Sequence, residues 1–311
     1  MTRSETTGFI LGTVGVLCWS PHFYATVHAR GQGTPLLVFH FHVLLWASIA
    51  AWVLLALSGN LDELSVFKRR ETRFLVLALT GGYGFWILRA LALERAGSGA
   101  THVHILFYTA PLILGLLSLP TREGARWKQI GALVLGFVGC IMILAPSGNT
   151  ESATSLAPGT TVTVLAVASA LCWAVFVLLA RPLVKKESVL ASTVIIWSMG
   201  AACMLVTCLS TGENILSITQ SGLWLSMLLG AGTVTIGFGV WLKCLSEVTP
   251  AFAAPIWYIS LVFGIAWARW IADFRPGWLT VGGVVLILLV ARSGKSRDRS
   301  SGVTISDVIR G

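Results

Sequence analysis

Residues 160–181 read TTVTVLAVASALCWAVFVLLAR, a run that carries no charge until Arg181 closes it. At 1.5 Å per residue it is about as long as the hydrocarbon core of a bilayer is thick, roughly 30 Å, so it is read as a membrane-crossing helix. Working outward, the same reading applies to apolar runs at 8–28, 35–57, 74–95, 101–119 and 126–145 before it, and at 190–210, 223–245, 250–270 and 277–292 after it. Composition agrees: 55% of the 311 residues are hydrophobic and 11% are charged, against about 25% charged in an average soluble domain. Mean hydropathy is +0.81. The predicted fold class is an all-α integral membrane protein of ten transmembrane helices. The short loops left over exclude an extramembrane catalytic or binding domain, so the activity is expected inside the bilayer.

The run at 160–181 also has a counterpart. Its Leu171-Cys172-Trp173 falls on Leu17-Cys18-Trp19 at a shift of 154 residues, and a shift of 151 aligns Trp127 with Trp278, Gly131 with Gly282, Ala100 with Ala251 and Gly81 with Gly232. The polar stretch PSGNTESATSLAPGT, 146–160, reads as a flexible linker. The expected organisation is a first five-helix repeat over 1–148, a linker over 149–159, a second repeat over 160–292 and a cytoplasmic tail over 293–311. Because each half has an odd number of spans, the halves enter the membrane from opposite sides, which is the inverted-repeat plan of secondary transporters.

The formal charge of +9 is read as a membrane signal and not as a nucleic-acid one, because Lys and Arg collect on the cytoplasmic side during insertion. With the N-terminus inside, seventeen of the 22 Lys and Arg fall on that side, including Lys68/Arg69/Arg70/Arg73, Arg181/Lys185/Lys186 and the tail. Arg30, Arg89, Arg95, Arg269 and Arg275 fall on or towards the other. The expected location is the plasma (inner) membrane, multi-pass, with both termini cytoplasmic. Val27-His28-Ala29 after an apolar run resembles a cleavage site, but the repeat counts the first helix as retained. The six cysteines all lie in apolar runs without a CxxC pair, so they are read as small buried hydrophobes.

Three features together resemble the drug/metabolite transporter superfamily, EamA type: the midmembrane Trp motif of helices one and six, the short connection ALERAGSGATHVHILFYTAP between helices three and four, and the Trp-x-x-x-Gly opening of helices five and ten. The resemblance covers about residues 8 to 292. It implies a cavity lined by helices one, three, four, six, eight and nine, and often export of amino acids or related metabolites. Ile105–Pro111 (ILFYTAP) is similar to the fourth-helix segment of aromatic amino-acid exporters, with Ala110 where those carry Trp.

Candidate site residues follow from placement. Tryptophan favours the membrane interfaces, whereas Trp19 and Trp173 stand near the middle of their helices, either packing the core or walling a central cavity from opposite repeats. Trp86, Tyr108, Trp257 and Tyr258 are candidates to complete that lining. Gly81, Gly82 and Gly84 in helix three and Gly230, Gly232, Gly237 and Gly239 in helix eight mark corresponding interruptions, as hinges or as close-packing positions. Pro21, Pro111 and Pro255 mark bends. All six histidines lie in the first half. His22 is a candidate proton relay, and the pairs His40/His42 and His102/His104, two residues apart, point their members to opposite helix faces. They are read as polar lining or surface residues and not as metal ligands. Arg89 is the one basic side chain well inside a span. It either snorkels or pairs with Glu94, or it faces the cavity and binds a substrate carboxylate.

No acidic residue lies at a helix midpoint, which removes the proton-exchanging carboxylate of cation exporters. HExxH, GxSxG, paired midmembrane carboxylates and a nucleotide loop are all absent. The chain is thus expected to be no enzyme, with no catalytic residues, metal or cofactor, although a membrane-embedded enzyme and a lipid-handling protein stand as rivals. The expected activity is secondary transport of small zwitterionic or anionic metabolites, aromatic or apolar amino acids first among them. Its partners are that small-molecule substrate and the lipid bilayer.

Overall fold

In a bilayer no water is at hand for backbone N–H and C=O groups, so an apolar run must close its own hydrogen bonds, and a helix does this within one segment. A computed structural model of the protein describes residues 3–118, 123–144, 159–272 and 276–293, and among the described residues every regular element is helical. The linker expected over 149–159, except Gly159 itself, and the tail after Ser293 lie outside the described residues.

Among the described residues nine segments are long and apolar enough to cross a membrane: Arg3–Gly31, Leu36–Leu57, Glu71–Ala96, Ala100–Leu117, Trp127–Leu144, Thr160–Val184, Val189–Ser210, Gln220–Glu247 and Pro250–Trp270. They are called segments one to nine in chain order. Segment ten, Trp278–Ser293, has 16 residues, about 24 Å of helix at 1.5 Å per residue, and so falls short of a 30 Å core unless the bilayer thins around it. Three helix starts carry side-chain caps. The hydroxyls of Ser188, Thr219 and Thr249 accept from the backbone N–H of Ala191, Gly222 and Phe252 at 3.3, 3.1 and 3.3 Å, and Pro250 occupies the first turn after Thr249, where its missing N–H costs nothing.

Five segments are interrupted. Segment one breaks at Ser20–Pro21, between helices Arg3–Trp19 and His22–Gly31. The proline ring cannot donate to the Leu17 carbonyl, and the Ser20 hydroxyl takes that carbonyl instead at 2.7 Å. Segments four and nine break at Tyr108 and Tyr258. Segments three and eight each contain a π-helical stretch, Ala78–Gly84 and Leu229–Gly237, at the glycine clusters.

Packing repeats with an offset of five segments. Segment one lies on eight as six lies on three; two lies on eight as seven lies on three; one meets nine as six meets four; and two with seven, four with nine and five with ten pair with each other. Two close approaches make the correspondence physical. A Cβ placed on Gly200 of segment seven would strike the Gly82 carbonyl of segment three, and one on Gly230 of segment eight would meet the Val43 carbonyl of segment two at 2.5 Å. Only glycine lets the π stretches come so near their neighbours.

The two ends are tied differently. At one end Ser4 donates to the Glu247 carbonyl at 2.9 Å, Arg70 Nε pairs with Glu187 Oε1 at 3.0 Å and Arg181 Nε donates to the Val248 carbonyl at 3.1 Å. At the other, the hydroxyls of Thr34 and Thr219 are 2.7 Å apart, and Arg30 donates to the carbonyls of Leu93 and Glu94 at 2.7 and 3.0 Å.

Candidate functional site

Trp19 is the last residue of its helix before the Ser20–Pro21 break, so its ring projects where segment one changes direction. It meets Trp173 at a centroid distance of 5.2 Å, Trp257 at 5.8 Å and Trp86 at 5.8 Å, while Trp173 and Trp257 are 4.9 Å apart. These four rings, from segments one, six, nine and three, are buried. The rings fill the centre: between Gly15, Trp19, Trp173, Phe238, Trp241 and Trp257 there remains a cavity of about 10 Å³, room for about one water. The conformation is therefore closed around the aromatic cluster. Tyr108 and Tyr258, the two helix-breaking tyrosines, face each other with centroids 6.4 Å apart. Tyr108 Oη shares a hydrogen bond with Ser260 Oγ at 2.7 Å, while Tyr258 Oη is buried without a partner.

Arg89 lies on the Thr34–Thr219 side of this cluster. It is 3% exposed, so it does not snorkel. Nor does it pair with Glu94, whose Oε1 accepts the backbone N–H of Leu36 at 3.1 Å. Its Cζ lies 4.9 Å from the centre of the Phe107 ring and 5.8 Å from that of Phe85, a cation–π setting. Those two rings in turn touch the aromatic cluster, Phe85 with Trp173 at 5.0 Å and Phe107 with Trp257 at 6.2 Å. Arg89 Nη1 is buried without a hydrogen-bond partner, and among the described residues no carboxylate forms an ion pair with Arg89.

Three imidazoles stand in the same region. His22, one turn beyond Trp19, is stacked on it at 5.9 Å and lies edge-on to Trp86 at 5.0 Å. His40 is 5.7 Å from His22, and its Nδ1 donates to the Leu36 carbonyl at 2.8 Å, which leaves Nε2 bare. His104 lies flat on Phe23 at 3.7 Å and meets Tyr108 edge-on at 4.9 Å. Both ring nitrogens of His22 and Nδ1 of His104 are buried and unpartnered, as are the indole N–H groups of Trp86, Trp173 and Trp257. Native interiors leave few polar groups unpaired, and each one asks for an explanation. Most of these are donors, able to serve a hydrogen-bond acceptor.

The expected residues thus come together at one place, with differences. His40 and His104 belong to the region, although only His22 stood out in the sequence; of each two-apart pair one member is buried (His40, His104) and the other (His42, His102) is only half-buried. Phe85, Phe107 and Trp241 also belong, and in the sequence they are indistinguishable from core residues. Among the expected hinge positions, Gly81, Gly82, Gly84, Gly232 and Gly237 lie in the π stretches, whereas Gly239 lies in the α-helix that follows. Pro111 sits in the first turn after the Tyr108 break, and Pro255 in the last turns before the Tyr258 break. The cysteines described here are free.

Residues 160–291 match the EamA-like transporter family. The uncharacterized transporter YyaM of Bacillus subtilis strain 168 is 23% identical over 233 residues, which is 72% of this chain and 73% of that protein. A crystal structure of a protein at 18% identity superposes with a TM-score of 0.77 over 93% of this chain and 96% of the other. That likeness concerns the fold.

Proposed function

We propose that the chain, whose residues 160–291 match the EamA-like transporter family, is a multi-pass membrane transporter that carries small zwitterionic or anionic metabolites, aromatic and apolar amino acids first among them, by alternating access at the aromatic cluster. The observation that carries this reading is Arg89, buried and without a counter-charge beside Trp19, Trp173 and Trp257. A guanidinium fork binds a carboxylate through two parallel hydrogen bonds, and the indole rings offer the apolar body of the solute a matching surface.

The transport cycle proposed here uses residues 1–148 and 160–292 as two repeats that exchange conformations. Paired π stretches, paired tyrosine breaks and the exchange of segment contacts support it. A closed centre with ties at both ends is what an occluded intermediate needs. The proposed setting is the plasma membrane with both termini in the cytoplasm, on the side of the Arg70–Glu187 pair. No carboxylate among the described residues stands beside Arg89, so the mode proposed is uniport or weak proton dependence, with His22 the reserve relay.

The deciding experiment is a solute screen on the purified protein in sealed proteoliposomes. Uptake of an unaltered aromatic or apolar amino acid, or of its anionic relative, above protein-free vesicles is the expected result. Chemical conversion of the solute, or movement of lipid alone, would overturn the reading.

A further inference from the structure

Arg89 leaves the buried site with a net positive charge, and nothing nearby offsets it. The groups that face it are the rings of Phe85 and Phe107, and beyond them lie His22 and His40, His104 and Tyr108, none of them a carboxylate. Glu94, the acid closest in sequence, is occupied by the Leu36 N–H. A bound monoanion brings this region to neutrality. A zwitterion leaves it at one positive charge, with its ammonium held within a few ångströms of the guanidinium, and a cation leaves it at two. Uncompensated buried charge is strongly disfavoured, so the three classes should bind in that order.

The small cavity beside these rings supplies the second half of the requirement. Besides Trp19, Trp173 and Trp257 it is lined by Gly15, Val16, Gly237, Phe238 and Trp241, and none of these side chains is charged. Trp241 stands 5.4 Å from Trp257. Next to the guanidinium the cluster thus offers an apolar wall to the body of a ligand and no carboxylate to an ammonium. Resting on the reading that solute binds at Arg89, and narrowing its zwitterionic or anionic class to the anionic side in place of the amino acids put first there, we infer that the ligand is an amphiphilic monoanion, an aryl or alkyl carboxylate without a charged amine, oriented with its carboxylate on Arg89 and its apolar body between Trp19, Trp173 and Trp257.

Three probes of one shape test it: 3-phenyllactate, phenylalanine and phenylalaninol share the benzyl group and differ in charge. Binding of each to the detergent-purified full chain is measured by equilibrium dialysis, and transport separately in proteoliposomes. The expected order is 3-phenyllactate over phenylalanine by about tenfold or more, with phenylalaninol not binding. In Arg89→Gln the preference for 3-phenyllactate collapses; should that variant not fold, the order measured on the wild-type protein decides. Equal or tighter binding of phenylalanine, preference for phenylalaninol, or no binding of any probe overturns the inference. If 3-phenyllactate binds in the expected order yet crosses no membrane, the ligand class stands and the transport reading at this site fails.

Discussion

Arg89 stands in a position where an uncharged side chain of similar length would be more stable. Burying an ion without a partner costs several kcal/mol even after relaxation, and the rings of Phe107 and Phe85 beneath its Cζ return only about 0.5 to 2 kcal/mol. A residue held at such a cost is one whose partner arrives later. Arg89→Met is therefore expected to leave the melting temperature of the ligand-free protein unchanged or raised, while transport falls by about ten- to a hundredfold, the equivalent of one charge-assisted bond. Arg89→Lys, with the charge but without the fork, should lie between. A variant that melts earlier yet transports fully would show Arg89 to be structural. His22 is judged by a different measurement. Since no carboxylate among the described residues faces Arg89 or the imidazoles around it, uptake into vesicles should persist when the pH gradient is collapsed. Strict dependence on the gradient that disappears in His22→Ala would make the imidazole a proton carrier.

At the scale of the helices, the apolar runs were legible because a membrane demands about 20 uncharged residues in a row. Their ends were not, because charged residues at the interface continue the helix: segment three starts at Glu71 and not Phe74, and segment one at Arg3 and not Gly8. The bend at Pro21 follows from its chemistry. The break at Tyr108 follows likewise, since Pro111 has no N–H for the Phe107 carbonyl one turn back, whereas the break at Tyr258 does not, because it lies three residues after Pro255. The same divide runs through the site. Trp19 and Trp173 could be found because the repeat pairs them, whereas His40 and His104 could not, because spacing of two says that one of each pair faces inward but not which. The glycine clusters gave the place of the π stretches without their geometry. Two substitutions separate packing from hinge there. Gly200→Ala puts a methyl group against the Gly82 carbonyl and should destabilise by about 1 to 3 kcal/mol, read as a lower melting temperature. Gly232 has open space around its Cβ position, so Gly232→Ala should leave the melting temperature in place. It stiffens the π stretch by about 1 kcal/mol of helix propensity, and uptake should slow severalfold with ligand affinity unchanged. Full-speed uptake would mean that this stretch does not bend during transport.

For the whole molecule, the arrangement of ties makes a prediction about motion. The end that holds Ser4, Arg70, Arg181 and Glu247 carries most of the described basic loop residues, and is the one proposed to face the cytoplasm; a reporter fused after Gly311 should accordingly be active inside the cell. There the halves are joined by the hydrogen bond from Ser4 to the Glu247 carbonyl at 2.9 Å and by an ion pair, Arg70 to Glu187 at 3.0 Å, which is half-exposed on the arginine side and contributes about 0 to 1 kcal/mol. At the opposite end they are joined at Thr34, whose hydroxyl lies 2.7 Å from that of Thr219 and accepts the Thr219 backbone N–H at 3.3 Å, neutral hydrogen bonds of about 1 kcal/mol each. Neither set is strong, which suits the alternating access proposed above, where each would break once per cycle while the other holds. A covalent tie at one end should then stop the cycle. Thr34→Cys with Thr219→Cys places two thiols where the hydroxyls now touch, and a disulfide about 2.0 Å long closes that gap. Oxidised protein should lose uptake while keeping its melting temperature, and a reductant should restore it; either cysteine alone should have no such effect. Full uptake by protein shown to be completely cross-linked would mean that this end never opens, and the two repeats would not be exchanging conformations about the aromatic cluster.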